Sequence, residues 1–350
     1  MPGILQLIIE GYSGYFAYLV SEITISYDYK PWWQNYFYWL ILVSLFFFFL
    51  EIARPWRKDQ AILRKDFWLD LFYMFFNFFL FGLIIYNAAS NVVVNFFNRG
   101  IFSLTGMDLQ AMNPMQQWPY WAVLLTGFVA SDFIQWWTHR LLHRVPALWE
   151  FHKVHHSVEQ MGFAAHLRYH WMETIVYKTI TYLPLALMGI GLYDFFIIHL
   201  FGLVVGHFNH SNITVSKGFK GAVLGFLLGW IIAWGLFEVA IFSEITTLQQ
   251  LLFLFLATFV GYVALGPIMP FLFNSPEMHI WHHSYHLPEG NKYGVNFGLT
   301  LAIWDYLFGT NYIPHSGKDI KLGFPGIEEF PNTFSKQVVH GLGLPKNPVD

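Results

Sequence analysis

Long runs of apolar residues with almost no charge constrain this chain more than any other feature. Hydrophobic residues make up 55% of its 350 residues and charged residues only 12%, which is far from the composition of a soluble domain. The runs at 36–53, 67–89 and 118–137 are each long enough to cross a bilayer as a helix. The sequence therefore predicts an all-α, polytopic membrane protein built as a transmembrane helical bundle.

Further apolar runs predict two hairpins. The run at 174–206 has helix-breaking residues near its middle, so it reads as a helical hairpin that enters and leaves on one side. The runs at 222–242 and 248–273 predict a second hairpin, although Glu238 and the many glycines leave a re-entrant arrangement as the alternative. Residues 1–30 favour an interfacial helix. From Asn274 onward the chain is polar and rich in Pro and Gly, which predicts a cap of short helices and loops.

The distribution of basic residues predicts the orientation of the spans. The connection 54–66 contains five Lys or Arg residues, whereas the loop 90–118 contains only Arg99. Short loops rich in Lys and Arg stay in the cytoplasm, so 54–66 is expected inside and 90–118 outside. The run at 118–137 then returns the chain to the cytoplasm, where the cap is expected.

The absence of cysteine limits the chemistry of any cofactor site. A chain without cysteine cannot supply thiolate ligands, iron–sulfur clusters or disulfides, so a metal must bind His, Asp, Glu or backbone oxygen. The net charge of −3 is small, and neither a basic stripe nor a nucleic-acid motif is present. Nucleic acid is therefore not an expected partner.

Histidines recur at helical spacing in three places. Residues three and four apart share one face of a helix, so an HxxxH pair and two HxxHH triplets could each point at a common centre. An isolated HFNH element lies between the two triplets. The histidines of these motifs are His139, His143, His152, His155, His156, His207, His210, His279, His282 and His283.

The number of these imidazoles favours two metal ions. One zinc would use three or four ligands, whereas nine or ten match two five- or six-coordinate metals with open positions. Asp132 lies seven residues before His139, on the same helical face, and is expected to orient a ligating imidazole. For the stretch 132–157, the alternative is a basic amphipathic connector whose histidines are ordinary residues of a polar face.

The ordered set of motifs resembles the fatty acid hydroxylase and sterol desaturase superfamily. The matching segments are DFIQWWTHRLLH, WEFHKVHHS, RYHWMET, HSN, HIWHHS and WDYLFGT, which together run over roughly 119–310. The resemblance implies a membrane-embedded non-haem di-iron enzyme that uses O₂ and electrons from an external electron-transfer protein to hydroxylate or desaturate a lipid. It implies two iron ions, for which zinc is expected to substitute in purified protein.

Carried over residue by residue, the resemblance assigns the pair, both triplets and His210 as ligands. His207 is a further candidate, because the second histidine of that element varies in place within the family. His170 also matches a family position, but Trp171 replaces the proline that follows the histidine there, so His170 could instead support a ligand or lie on a helix surface. Glu173 and Asp305 join Asp132 as candidates to orient ligating imidazoles, although Asp305 could instead cap a helix.

The remaining histidines have weaker assignments. Two lie near motifs but outside their spacing, one lies within an apolar hairpin where an ionisable residue is a functional candidate, and two are expected at the surface. They are, in that order, His166 and His286, His199, and His315 and His340.

These observations predict three regions: an N-terminal membrane region at 1–118, a catalytic domain at 119–310 and a cytoplasmic tail at 311–350. The protein is expected in a membrane, a bacterial inner membrane by its resemblance, with its metal site on the cytoplasmic side. The alternative functions are a histidine-lined metal transporter, a metal-binding membrane protein without oxygenase activity, and a bis-histidine haem cytochrome.

Overall fold

The structure is a computed structural model, and it describes residues 4–28, 31–77, 100–106, 115, 117–188, 190, 192–237 and 247–343. Within these residues the chain is helical, and isolated bridges are the only β-type pairing. The all-α prediction is confirmed for this part of the chain. The described α-helices are α1 (Ile4–Thr24), α2 (Tyr36–Ala53), α3 (Phe67–Phe75), α4 (Tyr120–Arg144), α5 (Pro146–His156), α6 (Trp171–Leu187), α7 (Leu192–His210), α8 (Lys217–Phe237), α9 (Thr247–Val260), α10 (Met269–Leu272), α11 (Pro276–His282), α12 (Ile303–Leu307) and α13 (Phe334–Gln337).

Two residues explain the sharp change of direction between α4 and α5. Pro146 is the first residue of α5, where its missing N–H and fixed φ suit a helix start. The residue before a proline is pushed toward extended backbone, and Val145 has φ −93° and ψ 114°. The chain therefore turns at one residue, which lets the end of α4 and the whole of α5 face a common centre.

One apolar core joins α2, α3 and α7 to the short 3₁₀ helix Phe163–Leu167. Its members are Leu40, Val43, Phe47, Phe67, Phe163, Ala164, Leu167, Leu203 and Ile213. A second core under the polar cap includes Met161, Ile280, Trp281 and Val295. Leu203 of α7 belongs to the first core, Ile280 and Trp281 of α11 belong to the second, and α5 ends two residues before Val158 of the second core.

The helices α8 and α9 lie in the predicted second hairpin and pack against each other; the pair is here called the α8–α9 hairpin. The chain continues from α9 through a π-helical turn, Gly261–Leu265, before α10. Gly221 and Gly225 approach Gly261 so closely that a Cβ on any of the three would collide with backbone atoms of the other helix. The pair is thus held by backbone contact at glycine, the arrangement favoured between helices in lipid.

Two described helical stretches are long and apolar enough to span a membrane, Tyr36–Ala53 and Thr247–Leu272. The first is the predicted span 36–53, and the second lies in the predicted hairpin 222–273. The run 67–89 begins with α3, but most of it lies outside the described residues, as do most of the loop 90–118 and residues 238–246. The predicted run 174–206 becomes α6 and α7, with Pro184 inside α6. The number of spans, their orientation and the three regions stay predictions.

Candidate metal centre

Four segments bring the motif histidines together. The HxxxH pair lies in the last two turns of α4, the first triplet ends α5, and His210 is the last residue of α7. The second triplet occupies α11 and the residue after it. Helix α11 begins sharply, because Ser275 accepts a hydrogen bond from the N–H of Met278 and Pro276 takes the first helical position.

Five of these imidazoles form one group, here called the five-histidine group. Their ligand nitrogens all lie within 4.8 Å of one another. Two of its members, from α4 and α5, have their Nε2 atoms 3.1 Å apart. The members are His139, His143, His152, His156 and His282.

Four further imidazoles form the four-histidine group, which obeys the same 4.8 Å limit. Its Nε2 atoms are 3.0 to 3.3 Å apart along the chain of neighbours from α5 through α7 to α11. The members are His155, His210, His279 and His283. Both HxxHH triplets divide between the two groups, and the rings of His156 and His283 stack across the boundary with centroids 4.4 Å apart. The two groups are therefore immediate neighbours.

Hydrogen bonds to Nδ1 fix the tautomer and orientation of several rings. A backbone carbonyl can only accept, so an imidazole that contacts one through Nδ1 must donate there and leave Nε2 as the basic nitrogen. The Nδ1 atoms of His139, His282, His155 and His210 donate in this way to the carbonyls of Phe297, Val295, Arg168 and Gly206, at 2.8 to 2.9 Å.

Glu173 orients one imidazole through its side chain. Its Oε2 accepts a hydrogen bond from Nδ1 of His152 at 2.7 Å, and both side chains are buried. Its Oε1 accepts from the N–H of His170 at 3.2 Å, so the carboxylate ties the start of α6 to α5. A carboxylate behind a ligating imidazole raises its basicity and fixes its ring.

Several buried nitrogens in the two groups have no hydrogen-bond partner among the described residues. They are Nε2 of His143, His156 and His282, and Nδ1 of His279 and His283. Buried polar atoms are normally paired, and each exception needs an explanation. The three unpaired Nε2 atoms all belong to the five-histidine group, and a metal ion fits as their missing partner. In His279 and His283 it is the Nε2 atoms that face the four-histidine group, so their unpaired Nδ1 atoms lie on the far side of the rings.

Burial also keeps these rings in the form that binds metal. It lowers the pKa of His155 to about 4, and burial together with neighbouring histidines holds the pKa of His156 and His283 well below the ordinary value. Neutral imidazole is the ligating form. The site is thus prepared for cations at neutral pH.

Asp132 and Asp305 do not contact an imidazole in the way the sequence suggested. Asp132 accepts from the N–H groups of Thr300 and Leu301 at 3.1 and 3.2 Å and from Nε1 of Trp304 at 2.8 Å. It therefore holds the loop before α12.

Asp305 binds nearer to the metal groups. It accepts hydrogen bonds from the N–H groups of Phe297 and Gly298, from Nε1 of Trp136 and from Oγ1 of Thr310. The carbonyl of Phe297 accepts from His139, so one residue lies between Asp305 and a ligating candidate.

The two further ligand candidates, His207 and His170, lie outside both groups. His207 contacts Nδ1 of His166 at 3.0 Å and Oγ of Ser44 at 3.1 Å. His170 bonds the carbonyl of Val338 through Nε2 at 2.8 Å and accepts the N–H of Met172 through Nδ1. Both nitrogens of His170 are thus engaged, and it anchors the segment after α13.

The other histidines are also separate from the two groups. His166 lies beside His207, with its ring centroid 5.2 Å from that of His210. His199 and His286 are exposed. His315 packs its ring against Trp281, and His340 contacts Glu150.

A buried ion network under the four-histidine group was not predicted. Arg168, whose carbonyl orients His155, pairs with Asp70 at 3.0 Å, and Asp70 also pairs with Arg64. Its guanidinium further donates to Oγ of Ser157, next to the first triplet. The charged residues at 64–70, at the start of an apolar run, are the sequence feature that could have indicated this network. A search for apolar runs does not take them into account.

Comparison with known proteins agrees with the motif analysis. The fatty acid hydroxylase family profile matches residues 124–224 and 218–310. An ornithine lipid hydroxylase from Rhizobium tropici is 27% identical over 210 residues, 60% of this chain and 48% of that protein. Human alkylglycerol monooxygenase is 24% identical over 188 residues, 53% of this chain and 29% of that protein.

A third relative is a very-long-chain aldehyde decarbonylase from rice, which is 36% identical over 73 residues, 21% of this chain and 22% of that protein. The matched part of this chain spans less than half the length of each of these relatives. No solved structure matches. Because the family profile covers more than half of the chain, the chain belongs to the fatty acid hydroxylase family.

Proposed function

We propose that this protein is a membrane-bound, non-haem di-iron oxygenase that hydroxylates a lipid. The overall reaction takes a C–H bond, O₂, two electrons and two protons to an alcohol and water. The observation that carries the proposal is the meeting of nine neutral imidazoles in two adjacent groups, in each of which the ligand nitrogens lie within 4.8 Å of one another. The named relatives, which include a lipid hydroxylase and a monooxygenase, support this reaction class.

The proposed ligand set contains the nine histidines of the two groups and leaves out His207 and His170. Five imidazoles would hold one ion and four the other, and each ion would keep an open position. Redox-active iron, when bound, supplies the O₂ activation that an unactivated C–H bond requires. Zinc also binds imidazole but has no redox chemistry, so zinc-loaded protein would be inactive.

The protein's own residues preorganise this site. Glu173 and the carbonyls behind His139, His155, His210 and His282 fix the rings before metal arrives, which limits the reorganisation on binding. Trp149 and Phe297 pack against the ring of His143 at centroid distances of 4.9 and 5.1 Å. Aromatic walls of this kind keep water from the reacting centre.

The membrane setting follows from the same proposal. The lipid would enter from the bilayer, and an external electron-transfer protein would supply electrons from the cytoplasm. The basic connection 54–66 supports a cytoplasmic metal site, because Arg57 donates to the carbonyl of Met161 and so lies beside the histidine region. A polytopic bundle in a bacterial inner membrane is part of the proposal.

Metal analysis combined with product analysis tests the function. Purified protein is expected to hold about two irons per chain and to convert lipid in the presence of ¹⁸O₂ and a reductant into a product with one ¹⁸O atom. The double variant His156→Ala/His283→Ala removes one imidazole from each group and should lose both iron and product.

His286→Ala, which removes an exposed imidazole outside both groups, is the matched control and should match the wild type. Haem absorbance, or iron that survives in the double variant, would contradict the proposal. Bound metal without ¹⁸O in any lipid would leave a metal-binding protein or transporter as the better description.

A further inference from the structure

Three cations gather at the end of α4 without a carboxylate partner among the described residues. The guanidinium carbon of Arg144 lies 5.5 Å from the centroid of the Tyr293 ring, and Nζ of Lys292 lies 5.0 Å from the same centroid. Arg140 lies one turn before Arg144, and its buried Nε has no hydrogen-bond partner in the described part of the chain. Like charges collected in this way favour a bound anion.

This cluster lies beside the metal centre. His143 hydrogen-bonds the backbone of Tyr293, and Arg144 follows His143 directly in the sequence. Within the two histidine groups, His143 is the member that is not fully buried. An anion held by Arg144 and Lys292 would therefore lie next to the most accessible ligand of the five-histidine group.

An apolar groove lies along α4 between the levels of Leu125 and Phe133. Its volume is about 410 Å³, and its lining consists of Leu125, Thr126, Val129, Ala130, Phe133 and Trp304. The volume falls in the usual range of about 300 to 1,000 Å³ for small-molecule sites. Phe133 stacks on Trp136 with centroids 6.2 Å apart, and the Arg140 guanidinium lies 5.3 Å from the Trp136 ring. Groove and cations are thus connected by direct contacts.

The spacing of groove and cations suits one leaflet of a bilayer. A helix rises 1.5 Å per residue, so Phe133 lies about 10 Å and Leu125 about 22 Å from the level of Arg140. One leaflet of the hydrocarbon core is about 15 Å thick. An acyl chain whose headgroup rests on Arg140 and Arg144 would therefore pass along the groove residues.

We infer that this surface binds the lipid substrate, and that the substrate has an anionic phosphate or carboxylate in its headgroup. The headgroup contacts Arg140, Arg144 and Lys292, and an acyl chain lies in the groove along α4. This inference rests on the proposed function and adds the class of substrate. An acidic carrier protein would also suit the three cations, but it would not occupy an apolar groove, so the continuity of groove and cations favours the lipid.

Photolabelling tests the inference without depending on turnover. Full-length protein in neutral detergent is mixed with a phosphatidylglycerol that carries a diazirine in the middle of one acyl chain, or with a diacylglycerol that carries the same chains. After illumination, labelled peptides are identified by mass spectrometry. Phosphatidylglycerol should label peptides from 120–144, and diacylglycerol should label them much less.

The variant Arg144→Gln/Lys292→Gln should lower labelling by phosphatidylglycerol about ten- to thirtyfold, as expected for the loss of two cations near an anionic headgroup. The control Lys58→Gln, which removes an exposed cation elsewhere, should leave it unchanged. Equal labelling by both lipids in wild type and variant would overturn the inference.

Unchanged lipid labelling with a several-fold higher KM for a reduced acidic carrier would also overturn it, in favour of a protein-docking surface. Iron content and ¹⁸O incorporation, measured on the same preparations, report on the proposed function separately. Labelling that follows the cations in protein without oxygenase activity would retain an anionic-lipid site and reject only the substrate role.

Discussion

The metal centre and the α8–α9 hairpin are held together in opposite ways. In the metal centre, buried polar side chains bind particular backbone groups: Asn296 contacts the backbone of both Met278 and Tyr312, and Asn274 contacts the carbonyl of Gly298. In the hairpin, the helices touch at glycine, and large apolar side chains such as Phe255, 72% exposed, face outward.

These two kinds of contact suit different surroundings. Polar contacts buried in a protein interior are specific, because each unpaired group is costly. Backbone contact at glycine gives close packing without a polar partner, which suits a helix pair surrounded by lipid. We therefore expect substitutions in the metal centre to act on chemistry and metal, and substitutions in the hairpin to act on packing alone.

The largest effects are expected from two single variants on the same helix, each of which removes an imidazole from a different group. His282→Ala and His279→Ala alter neighbouring turns of α11, but the residues belong to the five- and four-histidine groups, respectively. Each variant should abolish turnover, because an ion with an open position depends on its remaining ligands for geometry. Each should also lose about one iron per chain by elemental analysis.

His279→Ala should lose the iron of the four-histidine group more completely than His282→Ala loses that of the five-histidine group, since only three imidazoles remain in the smaller group. Two irons retained with full turnover in either variant would contradict the assignment of nine ligands to two groups.

A smaller effect is expected from the carboxylates that hold the loop over the groups. Asp305→Asn keeps the size of the side chain but weakens the acceptor for Phe297, Gly298 and Trp136, so the carbonyl that orients His139 is less well fixed. Loss of an outer partner of this kind costs about ten- to a hundredfold in metal affinity or activity.

Asp132→Asn should cost less than Asp305→Asn, because its partners lie in the loop before α12 and not behind a ligand. Iron titration of both variants checks this order. A larger loss in Asp132→Asn would show that the loop before α12 is the more important support.

Acidification should destabilise the metal-free centre. The folded-state pKa of His155 is about 4, below the ordinary value of 6.5, because burial disfavours its charged form. Between these pH values the unfolded chain binds more protons than the folded one. The contribution of neutral His155 to the free energy of unfolding is therefore fully present above about pH 6.5 and is lost as the pH drops toward 4.

Thermal unfolding of metal-free protein across this range should show the loss, and iron should shift it to lower pH because protons and metal compete for the same nitrogens. A thermal midpoint that rises on acidification would contradict neutral, buried imidazoles.

The sequence predicts much of the site but little of its support. The HxxxH and HxxHH spacings depend only on helical periodicity, so they place His139, His152 and His282 on usable faces without knowledge of the fold. That each triplet divides between two groups follows from how α5 and α11 cross, which periodicity does not contain. Asp132 shares a helical face with His139, yet its carboxylate binds Thr300, because the loop it meets is distant in sequence.

The same limit explains His170 and His207. Both occupy motif-like positions, but His170 meets the carbonyl of Val338, from a segment after α13, and His207 meets Ser44 of α2. Such long-range partners are set by tertiary packing. The Gly spacing in α8 is visible in the sequence, whereas its contact with Gly261 depends on the register of the two helices.

The smallest expected effect concerns the packing of the α8–α9 hairpin. In Gly225→Ala the new Cβ would collide with the carbonyl of Ala257, so the helices must separate, and the thermal midpoint should fall by a few degrees, on the order of 2–4 °C per kcal/mol. Gly202→Ala on α7 is the matched control, because a Cβ there meets nothing within 4 Å and alanine favours the helix. Both variants should retain two irons, since α8 and α9 supply none of the nine histidines. If Gly225→Ala loses iron in proportion to its loss of thermal stability, the hairpin and the metal centre unfold as one cooperative unit. Substitutions in the hairpin would then affect metal binding as well as packing, contrary to the prediction.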